Sequence, residues 1–314
     1  MTSTSLSLPT RTYDPSVAAV TRSTRALLAG PAIGRLPAPL LVVAAAFSVQ
    51  SGAAIATGLF DRVGPLPVVW LRSAFGALVL IALDPGVLRR VRAGPLRWVI
   101  ALGLTLAVMN TCFFEAIDRA PLGVVVTVEF LGPLAIAMIG SRRPLDFLWI
   151  VLAAAGIALL GSPTVHVDRV GLLFALMAAA CWAAYIVFAK RLVGSWPFAT
   201  GLTLALLVSG VVLAPVGLVA GGRGLADGGL LGVALGVALL SSVVPYALEL
   251  AALRRVRMST FGILMSLEPA VAALLGALLL SQHLSLLEGT AVALVIVASV
   301  GANRDRQDPL PPEA

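Results

Sequence analysis

Val128-Glu129-Phe130-Leu131-Gly132-Pro133 and Leu267-Glu268-Pro269 each place a glutamate and a proline in the middle of an apolar run. A carboxylate is costly at the depth of a bilayer and is kept there for a reason. A proline in a helix removes one amide and leaves the carbonyl four residues earlier without its donor. Pro133 therefore frees the carbonyl of Glu129, and Pro269 frees that of Met265. The two carbonyls are equivalent if the chain repeats itself with an offset of 136 residues, which brings Ala120–Pro133 onto Val256–Pro269. Under that offset Glu129 aligns with Met265 and Glu268 with Gly132, so the repeat is symmetric in backbone and asymmetric in charge.

The surroundings of these segments set the solvent. Of 314 residues, 59% are hydrophobic and 12% charged, against ~25% charged in soluble domains. Mean hydropathy is +1.01. No single soluble core hides that much apolar surface, so the solvent is lipid. Apolar runs of bilayer-spanning length fall at 38–60, 66–84, 96–117, 122–140, 145–161, 169–190, 197–220, 230–252, 258–281 and 285–303. The fold class expected is an all-α membrane protein with ten transmembrane helices. Five helices per half is an odd number, so the second half is expected inverted relative to the first, a plan that recurs in secondary transporters. The expected organisation is a disordered cytoplasmic tail at 1–37, a first repeat at 38–161, a second at 169–303 and a cytoplasmic tail at 304–314. Pro65, Pro95, Pro121, Pro144 and Pro197 mark helix starts, where a missing amide costs little. Gly228, Gly232 and Gly236, like Gly52 and Ala56, are spaced for close helix packing.

The basic residues orient the chain. With ten spans and a cytoplasmic N-terminus, Arg89-Arg90, Arg142-Arg143, Lys190-Arg191 and Arg254-Arg255 all face the cytoplasm, and only Arg62, Arg119, Arg169 and Arg223 face outward. The net charge of +7 is thus spread over short loops and gives no nucleic-acid-binding domain.

The candidate site is the set of polar groups inside the runs. Glu129 and Glu268 are the first candidates for holding a substrate ammonium group or a coupling proton; the alternative is a pair of packing kinks. Arg72 and Glu115 lie at matching depth, so they read either as a carboxylate-binding arginine held by Glu115 or as a structural ion pair. Tyr246, Asn110, Gln50, Ser48 and Trp182 offer hydrogen bonds or an apolar wall, and Pro133, Pro269 and Pro245 break helices. Glu249, near Arg254 and Arg255, reads as a side chain reaching the interface. Cys112 and Cys181 read as small buried hydrophobes. His166 and His283 read as solvated loop residues. No phosphate-cradling Gly-Lys-Ser/Thr loop occurs, so no ATP drive is expected in this chain and no ATPase subunit is implied. No metal, no cofactor and no enzymatic nucleophile–base set is expected. The partners expected are a small amino-acid substrate and the lipid bilayer, with a homodimer left open.

Val128-Glu129-Phe130-Leu131-Gly132-Pro133-Leu134-Ala135, Ala180-Cys181-Trp182-Ala183, Pro245-Tyr246-Ala247-Leu248-Glu249 and Phe261-Gly262-Ile263-Leu264-Met265-Ser266-Leu267-Glu268-Pro269-Ala270 resemble the drug/metabolite transporter superfamily, EamA type, over about residues 38–303. Ser141-Arg142-Arg143-Pro144-Leu145-Asp146-Phe147 makes the chain similar, more narrowly, to the bacterial threonine/homoserine exporters of the inner membrane. The resemblance implies two inverted repeats around a central cavity and ion-coupled export of small metabolites, with protons as the coupling ion. Export of another metabolite or a drug by the same fold stays open, as does a membrane scaffold or sensor without transport. One departure stands out. Many members carry Gly-Glu at the outer end of the ninth helix, where this chain has Gln282-His283. If that glutamate couples protons elsewhere, His283, Glu129 or Glu268 takes its place here.

Overall fold

The computed structural model describes residues 36–91, 96–139, 144–160, 168–193, 198–253, 255–256 and 258–304. The expected tails fall outside these residues except for Leu36, Pro37 and Arg304, and so does the Ser141-Arg142-Arg143 segment. Every regular element among the described residues is helical. In chain order these are α1 (Ala38–Thr57), α2 (Phe60–Val63), α3 (Pro65–Leu83), α4 (Val87–Arg90), α5 (Leu96–Ile117), α6 (Leu122–Glu129), α7 (Leu131–Met138), α8 (Pro144–Leu160) and α9 (Arg169–Val193). The second half holds α10 (Phe198–Gly221), a 3₁₀ turn (Gly222–Ala226), α11 (Gly228–Ala238), a π-helical turn (Leu239–Val243), α12 (Val244–Leu253), α13 (Met258–Met265), α14 (Glu268–Leu280) and α15 (Leu286–Arg304).

By length and composition, 7 helices among the described residues are apolar and long enough to cross a membrane: Ala38–Thr57, Pro65–Leu83, Leu96–Ile117, Arg169–Leu192, Ala199–Ala226, Gly228–Ala252 and Thr260–Leu280. Leu122–Ile136, Phe147–Leu160 and Leu286–Ala302 are apolar and shorter. Large apolar side chains remain on the outer surface, among them Leu78, Val211, Val219 and Leu278. In water these would be a liability; in lipid they are the solvated face.

The prolines act at helix starts and breaks. Pro65 and Pro144 are the first residues of α3 and α8, and Pro121 is the N-cap of α6; Pro95 and Pro197 lie outside the described residues. The helix that contains Glu129 stops there and restarts at Leu131. The helix that leads to Glu268 stops at Met265 and restarts at Glu268. These are the positions whose carbonyls Pro133 and Pro269 cannot serve. α6 and α13 coincide end for end at the 136-residue offset.

Close packing is placed differently from the expected stripe. Gly228, Gly232 and Gly236 have nothing within 4 Å of a Cβ built on them. The close approaches are elsewhere. A Cβ on Gly52 would sit 3.0 Å from Ser241 Cβ, and one on Gly103 would be 2.6 Å from Val208 Cβ. One on Gly132 would overlap the carbonyl oxygen of Ala179. Four-residue spacing marks a face without saying whether that face meets protein or lipid.

The buried apolar residues divide unevenly along the bundle. At the end where α1 runs into α2 and α5 into α6, one cluster joins Leu59, Phe60, Val68, Ile117, Leu122, Leu160 and Leu230. At the opposite end, where α1 begins, the described residues form separate clusters, among them Leu134 with Ala153, Ala298 and Ala302, and two more. One holds Val87, Val99, Leu102, Leu192 and Leu202; the other holds Leu41, Val42, Ala251 and Ala252, with Phe261 packed against it. These ends are called distal and proximal below.

Candidate functional site

Between these clusters lies a cavity of about 150 Å³, roughly ten times the ~10–15 Å³ that one water needs. It is lined from mid-helix positions by Gln50, Arg72, Asn110, Phe113, Phe114, Glu129, Trp182, Tyr185, Ser241, Pro245, Tyr246, Glu249, Met265 and Glu268, with a few aliphatic neighbours. Glu129, Glu268, Arg72, Asn110, Trp182, Tyr246 and Pro245, all singled out from the sequence, therefore meet at one place.

Arg72 is the cation of the site and is buried. Its Nε donates to Ser241 Oγ at 2.8 Å, its Nη2 to the Ser241 carbonyl at 3.0 Å, and its Nη1 to Asn110 Oδ1. The local sequence explains these acceptors. Pro245 has no amide to give the carbonyl of Ser241 four residues earlier, and the chain widens there into the π-helical turn. The Ser241 hydroxyl in turn donates to the Val237 carbonyl at 2.6 Å, which orients its lone pairs towards Arg72. Asn110 Nδ2 donates to the Leu106 carbonyl at 2.9 Å. Both ends of the Asn110 amide are thus engaged, so Asn110 helps to hold Arg72, and its second N–H and second lone pair are left over at the cavity it lines. Arg72 also lies 5.7 Å from the centre of the Phe114 ring.

The expected Arg72–Glu115 pair is not formed. Glu115 takes two 2.6 Å bonds from Arg119 Nη1, one to Oε2 and one to its own carbonyl, and it does not line the cavity. Equal depth in the bilayer fixes height and leaves the helix face undetermined, and Arg119 stands one turn away on the same face. Among the described residues no carboxylate forms an ion pair with Arg72.

Three carboxyl groups share the cavity with this one guanidinium: Glu129, Glu249 and Glu268. Gln50 Nε2 donates to Glu268 Oε1 at 2.9 Å. Glu268 Oε2 and Gln50 Oε1 are buried with no partner among the described residues. Glu129 lies within electrostatic reach of both Glu268 and Arg72, and Glu249 within reach of Glu268. Glu268 is thus within reach of both other acids, and Glu129 also of Arg72. Glu249 was expected at the interface, yet it lies in the cavity one turn beyond Pro245 and Tyr246. The spacing Pro245, Tyr246, Glu249 puts all three on one helical face, a signal available in the sequence. Tyr185 and Ser241 were also missed. Ser241 could have been found as the residue four before Pro245.

Trp182 meets Phe130 edge to face at 5.1 Å and forms an apolar wall with Phe113 and Met265. Pro133 and Pro269 do not line the cavity; they set the breaks that bring Glu129, Met265 and Glu268 to it. Ser48 is engaged with the Leu240 carbonyl at 2.7 Å and does not line the cavity. Gln282 Oε1 accepts from the Leu122 amide at 2.9 Å, tying the first turn of α6 to the far end of α14. His283 is exposed there, away from the cavity.

An arrangement of one well-held guanidinium, a small cavity and three carboxyl groups, with Glu268 Oε2 unpartnered among the described residues, suits a small zwitterion: the guanidinium for a carboxylate, the acids for an ammonium group or a proton.

Comparison with known proteins gives matches of three kinds. The EamA-like transporter family matches residues 169–304. The threonine/homoserine exporter RhtA of Salmonella typhimurium (strain LT2) is 42% identical over 269 residues, covering 84% of this chain and 90% of the relative. That of Escherichia coli (strain K12) is 41% identical over 271 residues, covering 85% and 91%. The uncharacterized transporter YwfM of Bacillus subtilis (strain 168) is 28% identical over 220 residues, covering 64% and 72%. A protein solved by crystallography shares the fold with a TM-score of 0.56 at 21% identity, covering 84% of this chain and 96% of its own.

Proposed function

We propose that this chain, which belongs to the EamA-like transporter family, exports threonine and homoserine across the bacterial inner membrane in exchange for protons. The observation that carries this reading is the cavity that faces Arg72 towards Glu129, Glu249 and Glu268. Arg72 holds the substrate carboxylate, and Glu129 and Glu268 hold either the ammonium group or the coupling proton. A carboxyl that cannot keep both occupants links their movements in opposite directions. Trp182, Phe113 and Met265 wall the small side chain. The names of the relatives at 41–42% identity support the two amino acids as substrates.

The transport cycle rests on ten spans arranged as inverted repeats over 38–161 and 169–303, with both termini cytoplasmic. Several contacts support this reading. Ser209 Oγ donates to Ser73 Oγ at 3.2 Å, and the two serines are 136 residues apart. A Cβ on Gly210 would sit 3.2 Å from Ala74 Cα, again a pair at that offset. Residues related by a pseudo-two-fold axis touch each other only where the axis passes. The cavity includes five such pairs, Val49 with Tyr185, Met109 with Pro245, Asn110 with Tyr246, Phe113 with Glu249 and Glu129 with Met265, so it too lies about that axis. The single distal cluster and the divided proximal core support a conformation closed at the distal end. Rocking of one repeat on the other about Ser73 and Ser209 would close the proximal end and open the distal one.

The test is Glu129→Gln, followed by threonine and homoserine efflux from proteoliposomes with and without a pH gradient. Loss of gradient-driven efflux is expected. Efflux equal to that of the unchanged protein would sink the midplane role of Glu129.

A further inference from the structure

We propose that Trp98, with Arg97 and Arg191 stacked on it, forms a binding site for the phosphate headgroup of an anionic phospholipid at the proximal end of the bundle. The guanidinium carbon of Arg97 is 5.3 Å from the centre of the Trp98 ring and that of Arg191 is 4.7 Å from it. Phe188 closes the cluster at 6.0 Å from Trp98. The two arginines come from different helices, the start of α5 and the last turn of α9, which pack against each other.

Among the described residues the charge of this cluster has no counterweight. Neither arginine forms an ion pair with any described residue, and the adjoining segments 92–95 and 194–197 contain no Asp or Glu. Arg97 also sits in the first turn of a 22-residue helix, whose exposed amides are already the positive end of its dipole. Stacking on one indole stabilises an exposed cation only weakly and brings two like charges together. An anion between them offsets both, and guanidinium forks match phosphate oxygens in pairs.

Position selects the lipid as the source of that phosphate. Arg97 and Arg191 stand at the ends of two candidate spans, Leu96–Ile117 and Arg169–Leu192, the level at which headgroups lie. Both arginines are exposed, Trp98 and Phe188 are half-buried, and Lys190 is exposed beside Arg191. An indole at this level suits the acyl–headgroup boundary, with the cations beyond it. None of these residues lines the transport cavity, which α5 and α9 reach further along, at Leu106 and Tyr185, and the test reads lipid without substrate.

The test is retention of phosphatidylglycerol against phosphatidylcholine by the detergent-purified full chain, read by native mass spectrometry. Phosphatidylglycerol is expected to bind more tightly, and each arginine removed is expected to weaken it about fivefold. The double variant R97Q/R191Q should therefore retain the two lipids almost equally. The charge-keeping R97K/R191K should still prefer phosphatidylglycerol, which separates loss of the site from loss of the fold. Inorganic phosphate at millimolar concentration should not displace the lipid. Equal retention of both lipids by the unchanged protein, an unchanged preference in R97Q/R191Q, or displacement by inorganic phosphate would each overturn the proposal.

Discussion

Arg72 donates to the one carbonyl that Pro245 leaves without an amide, that of Ser241, at 3.0 Å. A break in one helix is thus completed by a charged side chain from another, and the same contact aims the guanidinium at the cavity. The sequence separation of the partners is 169 residues.

This dependence predicts opposite changes in stability and transport. Pro245→Ala restores an amide to the ladder and competes with Arg72 for Ser241. The variant is expected to unfold at a higher temperature than the unchanged protein, since proline costs ~3 kcal/mol in a helix interior, yet to export more slowly. Arg72→Gln leaves Asn110 Oδ1 and the Ser241 carbonyl without their donor, and bonds to charged groups contribute ~1.5–3 kcal/mol. Its kcat/KM in proteoliposome efflux is expected to fall roughly 10–100-fold. Near-normal efflux by Arg72→Gln would remove the carboxylate anchor from the mechanism.

Glu249 is expected to act on substrate capture. It lines the cavity within electrostatic reach of Glu268. Glu249→Gln should raise KM by roughly three- to tenfold while leaving the maximal rate nearly unchanged, as expected for a group that adds ~1 kcal/mol of attraction to a cation. The check is efflux against internal threonine concentration. A variant with unchanged KM would place Glu249 outside recognition.

Two glycines should respond in opposite directions to one methyl group. Gly132→Ala drives a Cβ into the Ala179 carbonyl, backbone that cannot rotate away. It is expected to cost ~1–3 kcal/mol through overpacking. Gly236→Ala meets nothing within 4 Å and adds helix propensity, for a gain of up to ~1 kcal/mol. Thermal unfolding of the purified variants distinguishes them, and equal shifts would contradict the packing described here.

Asp227 caps the N-terminus of α11 through its bonds to the amides of Gly229 and Leu230, and it pairs with Arg62. The hydrogen bond from Arg62, followed by those from the two amides, holds its carboxyl below the usual aspartate range. A depressed value means that the contribution to stability is fully present above the usual aspartate pKa of ~3.9 and is lost as pH falls through the lowered value. The difference in melting temperature between the unchanged protein and Asp227→Asn is therefore expected to be constant from about pH 8 to pH 5 and to shrink below about pH 4. A difference as large at pH 3 as at pH 7 would show that the cap does not act through its charge.

Much of the site was legible because polar groups at bilayer depth are too costly to be incidental. Glu129, Glu268, Arg72, Asn110, Trp182 and Tyr246 stand out against their apolar neighbours, and the structure gathers them. What misled was azimuth. Helices that are apolar all round carry no stripe to say which face meets protein. Depth alone pairs Glu115 with Arg72, nearby arginines draw Glu249 to the interface, and four-residue spacing gives the Gly228-Gly232-Gly236 row a close neighbour that it lacks among the described residues. That Asn110 also holds Arg72, through bonds to it and to the Leu106 carbonyl, is invisible without the fold.

The sequence by itself determined the lipid-solvated helices, the breaks after Glu129 and Met265, and the 136-residue offset between α6 and α13. These follow from local rules: the hydrophobic length of a bilayer, the missing amide of proline and the cost of charge in hydrocarbon. Only the tertiary structure decided which side chains share the cavity, that Arg72 is held by neutral acceptors, and that Glu249 joins the other acids. Those facts depend on how each helix is rotated about its axis. That rotation is set by the close contacts at Gly52, Gly103 and Gly132 between segments far apart in the chain.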